Sequence, residues 1–85
     1  MTDVTDYKVG VVDHYYDKLG VAIVDLTLEL RVGDFVKVTG STEFSQKVES
    51  MQMEHEQVTQ AQAGDTVGIK VVQPVKAGDE IIKTS

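Results

Sequence analysis

The chain has 85 residues, 41% of them apolar and 26% charged, which is enough for one small hydrophobic core and argues against both a second domain and disorder. Fourteen Asp and Glu against eight Lys and Arg give a formal net charge of −6, the wrong sign for general capture of a phosphate backbone, so no DNA partner is expected. Cysteine is absent, which removes disulfides, thiolate zinc sites and thiol nucleophiles.

The opening MTDVTDYKVG is acidic where a signal peptide needs a basic start and an apolar run, and no stretch approaches the length of a membrane span. A cytoplasmic chain with no membrane partner is the expectation. Residues 1–6 read as an N-terminal tail and 7–85 as a single domain. From there, β-branched and polar residues alternate with period two, which predicts short strands marked by Val9 and Val11, then by Val21 and Ile23 or by Ala22, Val24 and Leu26. Further strands are marked by Val36 and Val38, by Val67, Ile69 and Val71, and by Ile81. Tyr15 and Tyr16 are adjacent, so one faces inward and the other outward.

In FSQKVESMQM the apolar parity switches between Val48 and the pair Met51 and Met53, predicting a β-bulge near Glu49 or Ser50. Residues 54–62, EHEQVTQAQ, are the least strand-like and read as a connection, either a helical turn or an extended loop. Pro74, without an N–H, suits a turn or edge between the last two strands. Six or seven strands and no clear helix predict an all-β fold, a small closed β-barrel.

One frame occurs three times without gaps: LRVGDFV from 30, AQAGDTV from 61 and VKAGDEI from 75. Glycine accepts positive φ at no steric cost, and aspartate accepts hydrogen bonds from nearby backbone N–H groups, so the frame predicts a turn feeding a strand. Three copies with one apolar pattern indicate architecture rather than a catalytic aspartate.

Signals for chemistry are missing. There is no phosphate-binding Gly-rich loop, hence no expected nucleotide, and no Gly-x-Ser-x-Gly elbow around any serine. His14 and His55 could ligate a metal only if folding brought them together; they read as two surface residues. No catalytic, cofactor-binding or metal-ligating residue is expected, and the chain is not expected to be an enzyme.

The succession LRVGDFVKV, VESMQM and AQAGDTVGI resembles the second domain of translational GTPases such as elongation factor Tu, over about Tyr7 to Lys83. That resemblance implies a closed Greek-key barrel of translation-protein type, acting as a binding module. A similar barrel ends the collagenase-like peptidases, which implies as an alternative an accessory part of a peptidase system; a structural homo-oligomer is the third reading. In aminoacyl-tRNA carriers the positions of Gln52 and Thr66 hold an acidic and an amide residue, so this chain departs from that pattern. The expected contact residues are Phe35, Lys37, Gln52, Thr66, Gly68 and Lys70. The expected partner is a protein or ribonucleoprotein, with weak, salt-sensitive RNA contact.

Overall fold

Period-two alternation resolves into ten strands in a computed structural model that describes residues 7–84. The tail expected at 1–6 lies outside the described residues. In chain order the strands are β1 (Tyr7–Tyr16), β2 (Val21–Leu26), β3 (Leu30–Arg31), β4 (Phe35–Thr39) and β5 (Phe44–Lys47). They continue as β6 (Met51–Met53), β7 (Glu56–Val58), β8 (Gln60–Ala61), β9 (Thr66–Lys70) and β10 (Glu80–Lys83). Eight of them form one curled antiparallel sheet in the order β5-β4-β10-β1-β2-β9-β6-β7, and β3 pairs with β8. Among the described residues no helix is long and apolar enough to cross a membrane.

All-β is therefore the architecture, but the strand count and the closure differ from expectation. The end strands β5 and β7 are not paired with each other, so the backbone ladder is open. One side chain spans the seam on the β5 side: Gln46 Nε2 donates to the Lys70 carbonyl (2.8 Å), and Gln46 Oε1 accepts from the Val72 N–H (2.9 Å). An amide side chain presents the donor and acceptor that a neighbouring strand would have supplied.

The core takes residues from nearly every strand. Leu30, Met51, Ile81, Val9, Val12, Val24, Val38, Val48 and Val67 are its largest fully buried members, and burying each such side chain is worth roughly 1.5–3 kcal/mol before entropy is charged. In β2 the inward set is Ala22, Val24 and Leu26, leaving Val21 and Ile23 on the outer face. In β1 the inward pair is Val9 and Val12 instead of Val9 and Val11. The register shifts between Lys8 and Gly10 against β10, and between Val12 and His14 against β2. An extra residue at a bulge reverses the side-chain parity beyond it. The parity break after Val48 is no bulge: β5 ends at Lys47, and Val48 and Met51, both buried, flank a corner into β6.

The stretch expected as a connection instead holds a hairpin. Met53 pairs with Glu56, so β6 and β7 are joined by the two residues Glu54 and His55, both at positive φ (51° and 69°). Two such residues in a two-residue loop define the turn that matches strand twist, normally built from Asn-Gly.

The threefold frame is a single device used three times. Gly33, Gly64 and Gly78 have φ of 100°, 94° and 95°. Each following aspartate accepts at 2.9 Å from the backbone N–H three residues earlier, that of Arg31, Gln62 or Lys76. Each turn then clamps one buried residue of another segment. The glycine N–H donates to the carbonyl of Val48, Leu26 or Val12, and the aspartate carbonyl accepts the N–H of that same residue. This satisfies backbone groups that would otherwise be stranded where the sheet curls.

The third copy carries more. Asp79 is only 3% exposed, and its carboxylate also accepts from the Ser41 N–H and the Ser41 hydroxyl, both at 2.7 Å. Burial pushes its pKa up and is the largest single influence. The two Ser41 hydrogen bonds, the Lys76 N–H and the Lys76 charge together outweigh it and hold the carboxyl below the ordinary aspartate value. Gly40 makes room: at φ 131°, a Cβ there would stand 2.5 Å from Asp79 Oδ1.

Candidate functional site

Paired residues of neighbouring strands point to the same side of a sheet, so the register defines the outer face. Ile23 of β2 pairs with Gly68 of β9, which pairs with Gln52 of β6. One row along, Val21 pairs with Lys70; in the other direction Asp25 pairs with Thr66. Since Ala22, Val24, Val67, Ile69 and Met51 fill the core, these partners must face out.

The outer face is hollowed into a cleft of about 660 Å³, bounded by the β1–β2 hairpin with Tyr16 and Leu19, and by the β6–β7 hairpin with Glu54 and His55. Its floor is Val21, Ile23 and Gly68. A Cβ on Gly68 would lie 3.2 Å from Val21 Cγ1 and 3.6 Å from Ile23 Cδ1, so the glycine lets both side chains lean across β9. The volume lies in the range of small-ligand sites.

Of the six residues expected to make contacts, Gln52, Thr66, Gly68 and Lys70 line this cleft. Phe35 and Lys37 do not. They lie on β4, separated from β9 by β10, β1 and β2; Phe35 is 50% exposed, and Lys37 pairs with Glu43 at 3.0 Å. Sequence reasoning missed Tyr16, Leu19, Val21, Ile23, Glu54 and His55. An apolar Leu19 within the turn residues Asp17 to Gly20 was the available signal, since it is 62% exposed.

Polar groups at the cleft are only partly engaged. Thr66 Oγ1 donates to Asp25 Oδ1 (2.8 Å), and Lys70 Nζ donates to the Leu19 carbonyl (3.0 Å). Among the described residues neither Ser50 nor Thr66 is hydrogen-bonded to His55. Nor do three or more His, Asp or Glu of the described residues come together as a metal site. His14 instead packs edge-on against Tyr16, with ring centres 4.6 Å apart. Elsewhere on the outer surface Lys8 pairs with Glu80 and Lys83 with Asp34.

No protein-family model matches the chain. An uncharacterised protease of Methanocaldococcus jannaschii is 34% identical in a 76-residue alignment that covers 87% of this chain and 19% of that protein, so the chain spans about a fifth of its relative. Among solved structures, the C-terminal domain of a candidate U32 peptidase from Geobacillus thermoleovorans superposes with a TM-score of 0.86 at 24% identity, covering all of both chains. Its selenomethionine variant gives 0.83 at 25% identity, covering 89% of this chain and 96% of that one. These likenesses overturn the assignment to the second domain of translational GTPases, and with it the translation-related binding module. Two of the three motifs behind that assignment, LRVGDFV and AQAGDTV, are Gly-Asp turns, and the third, VESMQM, is a corner leading into β6; all three build the sheet without specifying a function. The chain is similar to the C-terminal domain of U32-type peptidases.

Proposed function

We propose that the chain is a non-catalytic accessory module of a U32-type peptidase system, working in the cytoplasm and recognising its ligand in the cleft on β2, β9 and β6. The likeness to a solved C-terminal domain of a U32-type peptidase carries this reading, and the chain spans only about a fifth of its protease relative. In this reading the curled sheet behaves as a barrel closed through Gln46, rigid enough to hold the cleft in shape. Phe35 and Lys37, on the far part of the sheet, meet the body of the peptidase.

The test is reconstitution. A U32-type peptidase lacking its C-terminal domain is mixed with the purified chain and run on size-exclusion chromatography. Co-elution as a one-to-one complex, weakened by Phe35→Ser, is expected, together with no peptide hydrolysis by the chain alone. Separate elution with unchanged peptidase behaviour contradicts the proposal. A mass near twice the monomer for the chain alone points instead to the homo-oligomeric reading.

A further inference from the structure

The cleft has opposite charges at its two ends. Thr66 and Lys70 stand four residues apart on β9, which is about 13 Å at the rise of an extended strand. Because β6 runs antiparallel to β9, the β6–β7 turn with Glu54 lies toward the Thr66 end of the cleft and Ser50 toward the Lys70 end. At the Thr66 end there are two carboxylates: Glu54, lining the cleft, and Asp25, which accepts the Thr66 hydroxyl. At the other end Lys70 spends one N–H on the Leu19 carbonyl, leaving two donors among the described residues. Between the ends lies the apolar wall of Val21 and Ile23 over Gly68.

We propose that this cleft binds short peptides of three or four residues with free ends. The N-terminal ammonium lies at Glu54, the C-terminal carboxylate at Lys70, and an apolar side chain rests on Val21 and Ile23. An extended peptide of that length spans about 10–14 Å, comparable to the backbone separation of Thr66 and Lys70 along the cleft. The proposal rests on the accessory reading, since hydrolysis of an amide bond by water leaves one new carboxylate and one new ammonium. The ligand class is thus the product of the attached chemistry.

A second observation points the same way. Glu54 and His55 occupy left-handed backbone positions that Asn-Gly would fill with less strain, and both line the cleft. Side chains kept at a backbone cost, and facing a cleft, indicate a ligand.

Isothermal titration of the chain with the tetrapeptide Ala-Val-Leu-Ala tests this, using the free-ended, N-acetylated and C-amidated forms. The free form binds saturably, and each cap weakens it about tenfold through loss of one charge-assisted hydrogen bond. In Lys70→Gln the amide cap no longer matters, and in Glu54→Gln the acetyl cap no longer matters. Absence of saturable binding by the free peptide, or caps without effect on the wild-type chain, overturns the proposal. Docking on the peptidase is read separately by co-elution. A complex that forms while the caps have no effect sinks only the peptide proposal; cap-dependent binding without a complex sinks only the accessory reading.

Discussion

Two kinds of turn in this molecule solve the same backbone problem differently. The three Gly-Asp turns place glycine at φ near 95–100° and close each turn with an aspartate carboxylate on a backbone N–H. The β6–β7 turn puts Glu54 and His55 at positive φ, without a glycine. The first kind uses the least strained residue and is pointed at the core. The second accepts strain and is pointed at the cleft. Where fold alone decides, local preference and structure agree; the disagreement falls on the residues that line the candidate site.

Substitutions separate the two kinds of turn. The largest effect is expected at Asp79. Asp79→Ala leaves the Lys76 N–H and the Ser41 donors without their acceptor in a buried setting, at a cost of about 3 kcal/mol or more, measured by urea unfolding. Its charge adds a pH signature. The folded carboxyl titrates below its unfolded value, so it stabilises the fold fully above the unfolded pKa. That share is lost as the pH falls through the depressed folded pKa. The stability gap between the wild type and Asp79→Asn therefore shrinks on acidification, below the ordinary carboxylate range.

Next comes the seam. Gln46→Leu removes both bridging hydrogen bonds and costs about 2 kcal/mol, with faster hydrogen exchange at Val72 than at residues within β2. Asp65→Ala, in the turn whose carboxylate makes one hydrogen bond from a partly exposed position, costs only about 1 kcal/mol by the same unfolding assay. A ratio near one between the Asp79 and Asp65 variants would show that the turns are energetically equivalent despite their different burial.

Much of the scaffold was legible because its signals are local. The Gly-Asp frame specifies its own turn, and alternation marks β2, β4 and β9, whereas the parity break at Val48 and Met51 read as a bulge and is a corner. Three things were not legible. The bulges of β1 depend on register against β2 and β10, which no window of β1 contains, so Val11 was put inside in place of Val12. The β6–β7 hairpin was hidden because its apex lacks Gly or Asn. Strand order decided the candidate site: Phe35 and Thr66 hold equivalent places in the repeated frame, yet three strands of the sheet separate β4 from β9. Two of the three motifs that resembled a translation factor, LRVGDFV and AQAGDTV, are turn chemistry, which carries fold and not function.

The most direct test is a substitution that moves stability and recognition in opposite directions. Replacing the β6–β7 apex by Glu54→Asn with His55→Gly supplies the residues the turn prefers and removes two cleft side chains. The paired measurement is thermal unfolding and titration with the free tetrapeptide on the same sample. The expected gain is about 1 kcal/mol, a rise in Tm of roughly 4–8 °C, together with at least a tenfold loss of peptide affinity. A lower Tm, or an affinity equal to that of the wild type, would contradict the claim that this turn is kept for its ligand.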